Sequence, residues 1–222
     1  MKNQLNNSSV VPLADPTYSR VREKLREDIV SGYFSGGTRL KIAELVNRYG
    51  VSQMPIREAL QQLQGEGLIV IEPNKGAHVR QIDQSFLENM YDIRQLIEVY
   101  LTVRSLRNFQ PRDIKELETL HSKYVKAANK SDFNQCLTLN KQFHSVIYKL
   151  ADNPEGQQIL EKHWQLINTL RLTFGYSTER IQKVILEHQD IITAIKDNDP
   201  IALEMAAKNH CINAKMDLIL KL

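Results

Sequence analysis

The sequence is short of the residues that build disulfide scaffolds, membrane spans and glycine-rich loops. It has two cysteines in 222 residues, Cys136 and Cys211, too few for a disulfide framework. No apolar run approaches the ~18 residues that a bilayer span needs. The first fifteen residues, MKNQLNNSSVVPLAD, have no continuous apolar stretch of the signal-peptide kind. They are expected to form a flexible polar arm, and a cytoplasmic location is the default expectation. Neither sign of charge dominates, since the net charge is +3. Of nine glycines, only Gly156 and Gly175 lie beyond residue 80. A long stretch so poor in glycine excludes a turn-rich β architecture there and favours helices.

The small positive excess is unevenly placed. Residues 1–80 carry 11 Lys and Arg against 8 Asp and Glu, whereas residues 81–222 carry 18 of each. That is mild support for a polyanionic partner at the N-terminal end. There, Val21, Leu25, Ile29 and Val30 form a helical stripe over Tyr18 to Ser31, which Gly32 stops. A loop, YFSGGTRL, follows. IAELVNRY (42–49) predicts a short helix ended by Gly50, and Ser52 is placed to cap a second helix, 53–64. LIVIEPNKGAHVRQI then alternates as two short strands around the turn Pro73-Asn74-Lys75-Gly76. Two helices joined by a tight turn suit the DNA major groove, and a hairpin beside them would be a wing over phosphates.

These residues, and above all GVSQMPIREALQQLQGEGLI followed by PNKGAHV, resemble the DNA-binding domain of the GntR family over about sixty residues. The resemblance implies a winged helix-turn-helix. Its expected DNA-contacting residues are Lys41, Ser52, Gln53, Met54, Pro55, Arg57, Asn74, Lys75 and Gly76. Gln53 and Met54 stand where many relatives have arginine and threonine. Glutamine can still read adenine in the major groove, so the departure bears on the operator sequence. Without the resemblance, Arg57 could simply pair with Glu44 or Glu58.

From Asp83 onward six helices are expected, near 83–109, 111–129, 131–151, 154–174, 177–197 and 199–221. Pro111, Pro154 and Pro200 mark starts, and Asp199 is placed to cap the last. Arg94 falls in the apolar stripe of Met90, Ile97 and Leu101. A guanidinium facing a core needs an anion. Spacing favours Glu98, four residues on, over a bound carboxylate, which the arginine fork would also fit. Asn140 and His144 share a helix face. His188 lies 11 residues before Asp199 and His210 lies 11 after it, so in a helical hairpin both sit ~16 Å from the turn. Three histidines could hold a divalent ion such as Zn²⁺, Ni²⁺ or Mn²⁺ with positions left open. Spacing alone favours three unrelated histidines, as His78, His121 and His163 fit no such pattern.

YDIRQLIEVYL, LTLNKQFHSVIYKLADNP and LEHQDIITAIKDNDPIALEMAAKNH resemble the FCD ligand-binding domain of the FadR-type subfamily. That resemblance implies a metal centre at Asn140, His144, His188 and His210, with Asn140 in place of the usual aspartate. It also assigns Arg94 to an organic-acid effector, reversing the preference from spacing. The expected protein is mainly α. A flexible arm (1–15) precedes a winged helix-turn-helix with a small β-hairpin (16–81; helix-turn-helix about 42–61) and an all-α bundle of six or seven helices (83–222). The expected function is that of a homodimeric transcriptional regulator, with repression the expected mode, on a palindromic operator of double-stranded DNA. The alternatives are a helical-bundle metalloenzyme acting on a small carboxylate, against which stands the lack of an HExxH motif, and a helical scaffold with a vestigial metal site.

Overall fold

A computed structural model of the chain describes residues 16–175 and 177–221. The arm expected over residues 1–15 lies outside them. The chain divides into two compact units between Arg80 and Gln81.

The first unit runs α1 (Thr17–Val30), β1 (Arg39–Leu40), α2 (Ile42–Tyr49), α3 (Gln53–Gly65), β2 (Ile69–Glu72) and β3 (Gly76–Val79). Leu25, Leu45, Ile56, Leu63, Leu68 and Ile69 are fully buried and form its core. Val30 is exposed and leaves the stripe expected of α1. α2 ends at Gly50 (φ 64°), a left-handed position that glycine takes without steric cost. Ser52 occupies the N-cap position of α3 in extended backbone, but its side chain makes no capping bond.

The hairpin expected of this unit is a three-stranded antiparallel sheet of order β1-β3-β2. The third strand is the end of the presumed loop YFSGGTRL, where Arg39 pairs with His78 and Leu40 with Ala77. Two residues are too few for alternation to announce a strand, so this pairing is a tertiary fact. β2 and β3 are joined by a turn closed from Lys75 N–H to Glu72 O (3.2 Å). Pro73 and left-handed Asn74 (φ 64°) at its centre are the residues of a type II turn.

The second unit holds six α-helices among the described residues: α4 (Gln84–Ser105), α5 (Pro111–Asn129), α6 (Phe133–Leu150), α7 (Pro154–Phe174), α8 (Thr178–Lys196) and α9 (Pro200–Ile219). The first is shorter than expected, because a single 3-10 turn over Leu106–Asn108 follows it. The starts are set by side chains. Asp83, Asp132, Asn153, Ser177 and Asp199 each accept a backbone N–H of the first turn. Prolines open α5, α7 and α9, where a missing N–H costs nothing. Leu101, Leu117, Tyr124, Phe143, Ile147, Leu160, Ile191 and Leu203 belong to one core cluster. α7 lies close against α4 at Gly156, where a Cβ would sit 3.2 and 3.3 Å from the Leu101 methyls.

Candidate functional site

The first unit offers an outer face. α3 turns Ile56, Ala59, Leu60 and Leu63 inward. That rotation leaves Gln53, Met54, Arg57, Gln61 and Gln64 exposed along the opposite side. Gln53, Arg57 and Gln61 recur every four residues and so form one row. Arg57 pairs with neither Glu44 nor Glu58. Pro55 is half-buried in the first turn of α3, and Ser52 is exposed before it. Asn74, Lys75 and Gly76 are exposed at the hairpin turn, where Lys75 holds Glu72 at 2.7 Å. Lys41 precedes α2 and holds Glu44 at 2.7 Å.

The second unit encloses a polar centre. α6 brings Asn140, His144 and Tyr148 to one buried face, α8 brings Glu187 and His188, and α9 brings His210 and Cys211. His144, His188 and His210 are all buried, with ligand atoms within 4.8 Å of one another. His121 and His163 stand outside that set, although the His121 ring lies 6.2 Å from that of His188.

The hydrogen bonds around the triad assign its tautomers. Glu187 Oε2 lies 2.7 Å from His210 Nδ1 and, as a carboxylate, can only accept. Tyr148 donates its hydroxyl proton to Glu98. Its oxygen, 3.2 Å from His144 Nδ1, is therefore left to accept. Both Nδ1 atoms carry hydrogen, and the two Nε2 atoms face each other at 3.0 Å. At that distance a proton or a metal ion between them satisfies both. His188 is 0% exposed, and neither of its ring nitrogens has a partner; nor has Asn140 Oδ1. Burial, reinforced by His210, pushes His144 down to about 3. Burial and His144 also take His188 well below the ordinary histidine range. Neutral imidazoles with free lone pairs are the form that binds metal. Zn–N bonds of ~2.1 Å put tetrahedral donors ~3.4 Å apart, between the closest and widest spacings found here. The donor set thus fits a divalent ion.

A shell of charge surrounds the triad. Glu187 is held by Arg180 at 2.7 Å and by Asn213 at 2.7 Å. Burial would raise this carboxyl, but bonds from His210 and Arg180 hold it at about 2. Arg94 grips Glu98 through Nε (2.9 Å) and Nη2 (2.7 Å), both residues being buried. Burial opposes the Glu98 charge, and Arg94 overrides it, again to about 2. Cys211 donates to Glu98 at 2.9 Å, and burial keeps its thiol protonated. The third arginine nitrogen, Arg94 Nη1, is buried without a partner. Arg94, Glu98, Asn140, Arg171, Arg180 and His210 help to line a cavity of about 20 Å³, room for about one water.

The structure therefore brings together the triad, Asn140 and Arg94 of the sequence reading, and sets Tyr148, Glu187, Arg171 and Arg180, which that reading did not name, around them. Glu187 adjoins His188, but only the fold turns it toward His210. Arg180 and Glu187, two helical turns apart, carried a pairing signal that could have been read.

Residues 17–79 match the model of the family described as bacterial regulatory proteins, gntR family, and residues 89–213 match that of the FCD domain. The HTH-type transcriptional repressor RspR of Escherichia coli is 28% identical over 196 residues, spanning 88% of this chain and 86% of that one. The gluconate operon transcriptional repressor of Bacillus subtilis is 28% identical over 190 residues, spanning 81% and 76%. Among solved structures, E. coli McbR/YncC superposes with a TM-score of 0.67 at 22% identity, covering 93% of this chain and 99% of the other.

Proposed function

The chain belongs to the GntR family of bacterial regulatory proteins with an FCD domain, and from that premise we propose that it is a metal-containing, effector-controlled repressor. As a family member it is a transcriptional regulator, not an enzyme. The DNA side of the reading rests on one observation. The row Gln53, Arg57 and Gln61 faces solvent on a helix whose other side is core. Gln53 would read a base edge, Arg57 would hold the helix on the duplex, and the turn at Asn74–Gly76 would follow the backbone.

In the FCD unit, His144, His188 and His210 would hold a divalent ion, with Asn140 supplying an amide oxygen. The ion would act as an oxygen-seeking Lewis acid for a bound effector. Glu187 and Tyr148 set the ring tautomers that leave the lone pairs free. Because asparagine brings no charge, the ion would keep more of its positive charge for an anionic effector. Arg94 Nη1 is the unpartnered donor available to an organic acid, and the 20 Å³ cavity must open to admit one.

Control follows from differential affinity: an acid that prefers one state of the protein shifts its population on or off DNA. A second copy would cover the face made by Ile93, Leu96 and Tyr100 of α4 with Ile201, Met205, Ile212 and Met216 of α9, all exposed. Such a dimer suits a palindromic operator and a cytoplasmic protein.

Fluorescence anisotropy with a duplex selected by the protein from a random 30-bp pool, and native mass spectrometry of the same sample, test the reading. Sequence-preferring, salt-sensitive binding by a dimer carrying about one metal per subunit is expected. Failure to prefer any duplex over its scrambled counterpart, with metal present or removed, would overturn it.

A further inference from the structure

A cleft of about 440 Å³ opens in the winged unit between α3 and the sheet. Arg39, Lys41 and Arg57 are among its lining residues, and no carboxylate is. Lys41 is already paired with Glu44. Arg39 and Arg57 are exposed and, among the described residues, their guanidiniums hold neither a hydrogen bond nor an ion pair. Other arginines of this unit do: Arg22, Arg26 and Arg48 each grip a carboxylate. Two uncompensated guanidiniums on facing walls of one cleft are what an oxyanion requires.

The walls come from different elements. Arg57 belongs to α3, whereas Arg39 belongs to β1 and is held in the sheet by its pairing with His78. The Arg39 fork lies over the hairpin turn: a Cβ on Gly76 would sit 3.8 Å from its Nε and 3.9 Å from its Nη2. Gly76 has φ 83°, a conformation that a larger residue would resist. Glycine thus leaves the fork room beside the turn.

We propose that Arg39 and Arg57 form a clamp for one DNA backbone phosphate, seated in the cleft between α3 and the sheet. Arg39 is a positioning residue: it reads no base, and it fixes how deep α3 can sit by fastening the backbone beside the hairpin. This deepens the DNA-binding reading above and rests on it.

The test is the salt dependence of anisotropy binding, from 50 to 200 mM KCl, on the selected duplex and a scrambled one. Each phosphate neutralised contributes a slope of about −0.9 in log K against log salt. The variant Arg39→Gln should lose one such unit, so its affinity should fall about 3.5-fold less across that range than that of the unaltered protein. The preference for the selected duplex should not change. Arg39→Lys, which keeps the charge, should restore the slope. Gln53→Ala should do the opposite, keeping the slope and shrinking the preference.

A folded Arg39→Gln protein with unaltered slope, or with altered sequence preference, overturns the clamp, as does an Arg39→Lys protein that restores nothing. Replacing chloride by inorganic phosphate at equal ionic strength separates the sources. A phosphate-specific loss of binding that vanishes in Arg39→Gln would make free phosphate the occupant and overturn the DNA assignment. If the unaltered protein shows no duplex preference, the regulator reading itself fails, which is a different result.

Discussion

Two histidines of the triad depend on a neighbour that chooses which nitrogen is free. Glu187 does this for His210 and Tyr148 for His144. Replacing Glu187 by Gln keeps the shape and removes the charge that makes the ring a strong donor. Metal affinity should fall 10–100-fold, read by competition with a chromophoric chelator, with the fold intact by circular dichroism. The same burial makes the metal-free protein acid-sensitive. The folded-state pKa of His144 (about 3) and of His188 lie below the unfolded value near 6.5. Stability is therefore fully present above pH 6.5 and is lost as pH falls below it. The loss should reach about 1.4 kcal/mol per pH unit for each ring. Urea midpoints of EDTA-treated protein at pH 7.5, 6.5 and 5.5 check this; a midpoint that does not fall between 6.5 and 5.5 would contradict neutral burial. Of this centre the sequence disclosed the parts whose positions follow from helical arithmetic. The equal spacing of His188 and His210 from Asp199 is such a part. The Glu187 carboxylate was hidden, because an acidic residue beside a histidine reads the same whether it faces solvent or a ring.

Elements were legible where local chemistry ends them. Prolines 111, 154 and 200, with their capping neighbours, mark three helix starts before any packing is known. Where a helix ends without glycine, the signal fails. The chain turns left-handed at Ser131, Asp152 and Asn198, and this is why the third helix of the FCD unit starts at Phe133 rather than 131. β1 was invisible because its existence depends on β3. α7 packs closely on α4 at Gly156, whose neighbour Leu101 is fully buried and has nowhere to retreat. Adding bulk to a helical glycine usually helps the helix. Here Gly156→Val should cost about 1–3 kcal/mol by overpacking, seen as a lower urea midpoint with metal content unchanged. A midpoint equal to or above that of the unaltered chain would show that α7 can move away from α4.

At the scale of the molecule, two faces are left unfinished. α9 has apolar residues on every side, so one stripe enters the core while Ile201, Met205, Ile212 and Met216 stay outside. Exposed apolar patches of this kind mark association surfaces. The double variant Leu96→Glu, Met205→Glu should sediment as a monomer in analytical ultracentrifugation, and its affinity for a two-half-site duplex should fall at least tenfold, since one anchor is lost. A dimer of unchanged strength would move the interface elsewhere. The second face is chemical. Glu98 occupies two of the three nitrogens of the Arg94 fork and is tied to it through one helix. An acid arriving from solution would compete with a carboxylate that never leaves the neighbourhood, whose local concentration no metabolite matches. A receptor of the proposed kind would have a built-in threshold. It would answer only to abundant acid, and shortening Glu98 would lower the dose at which it responds.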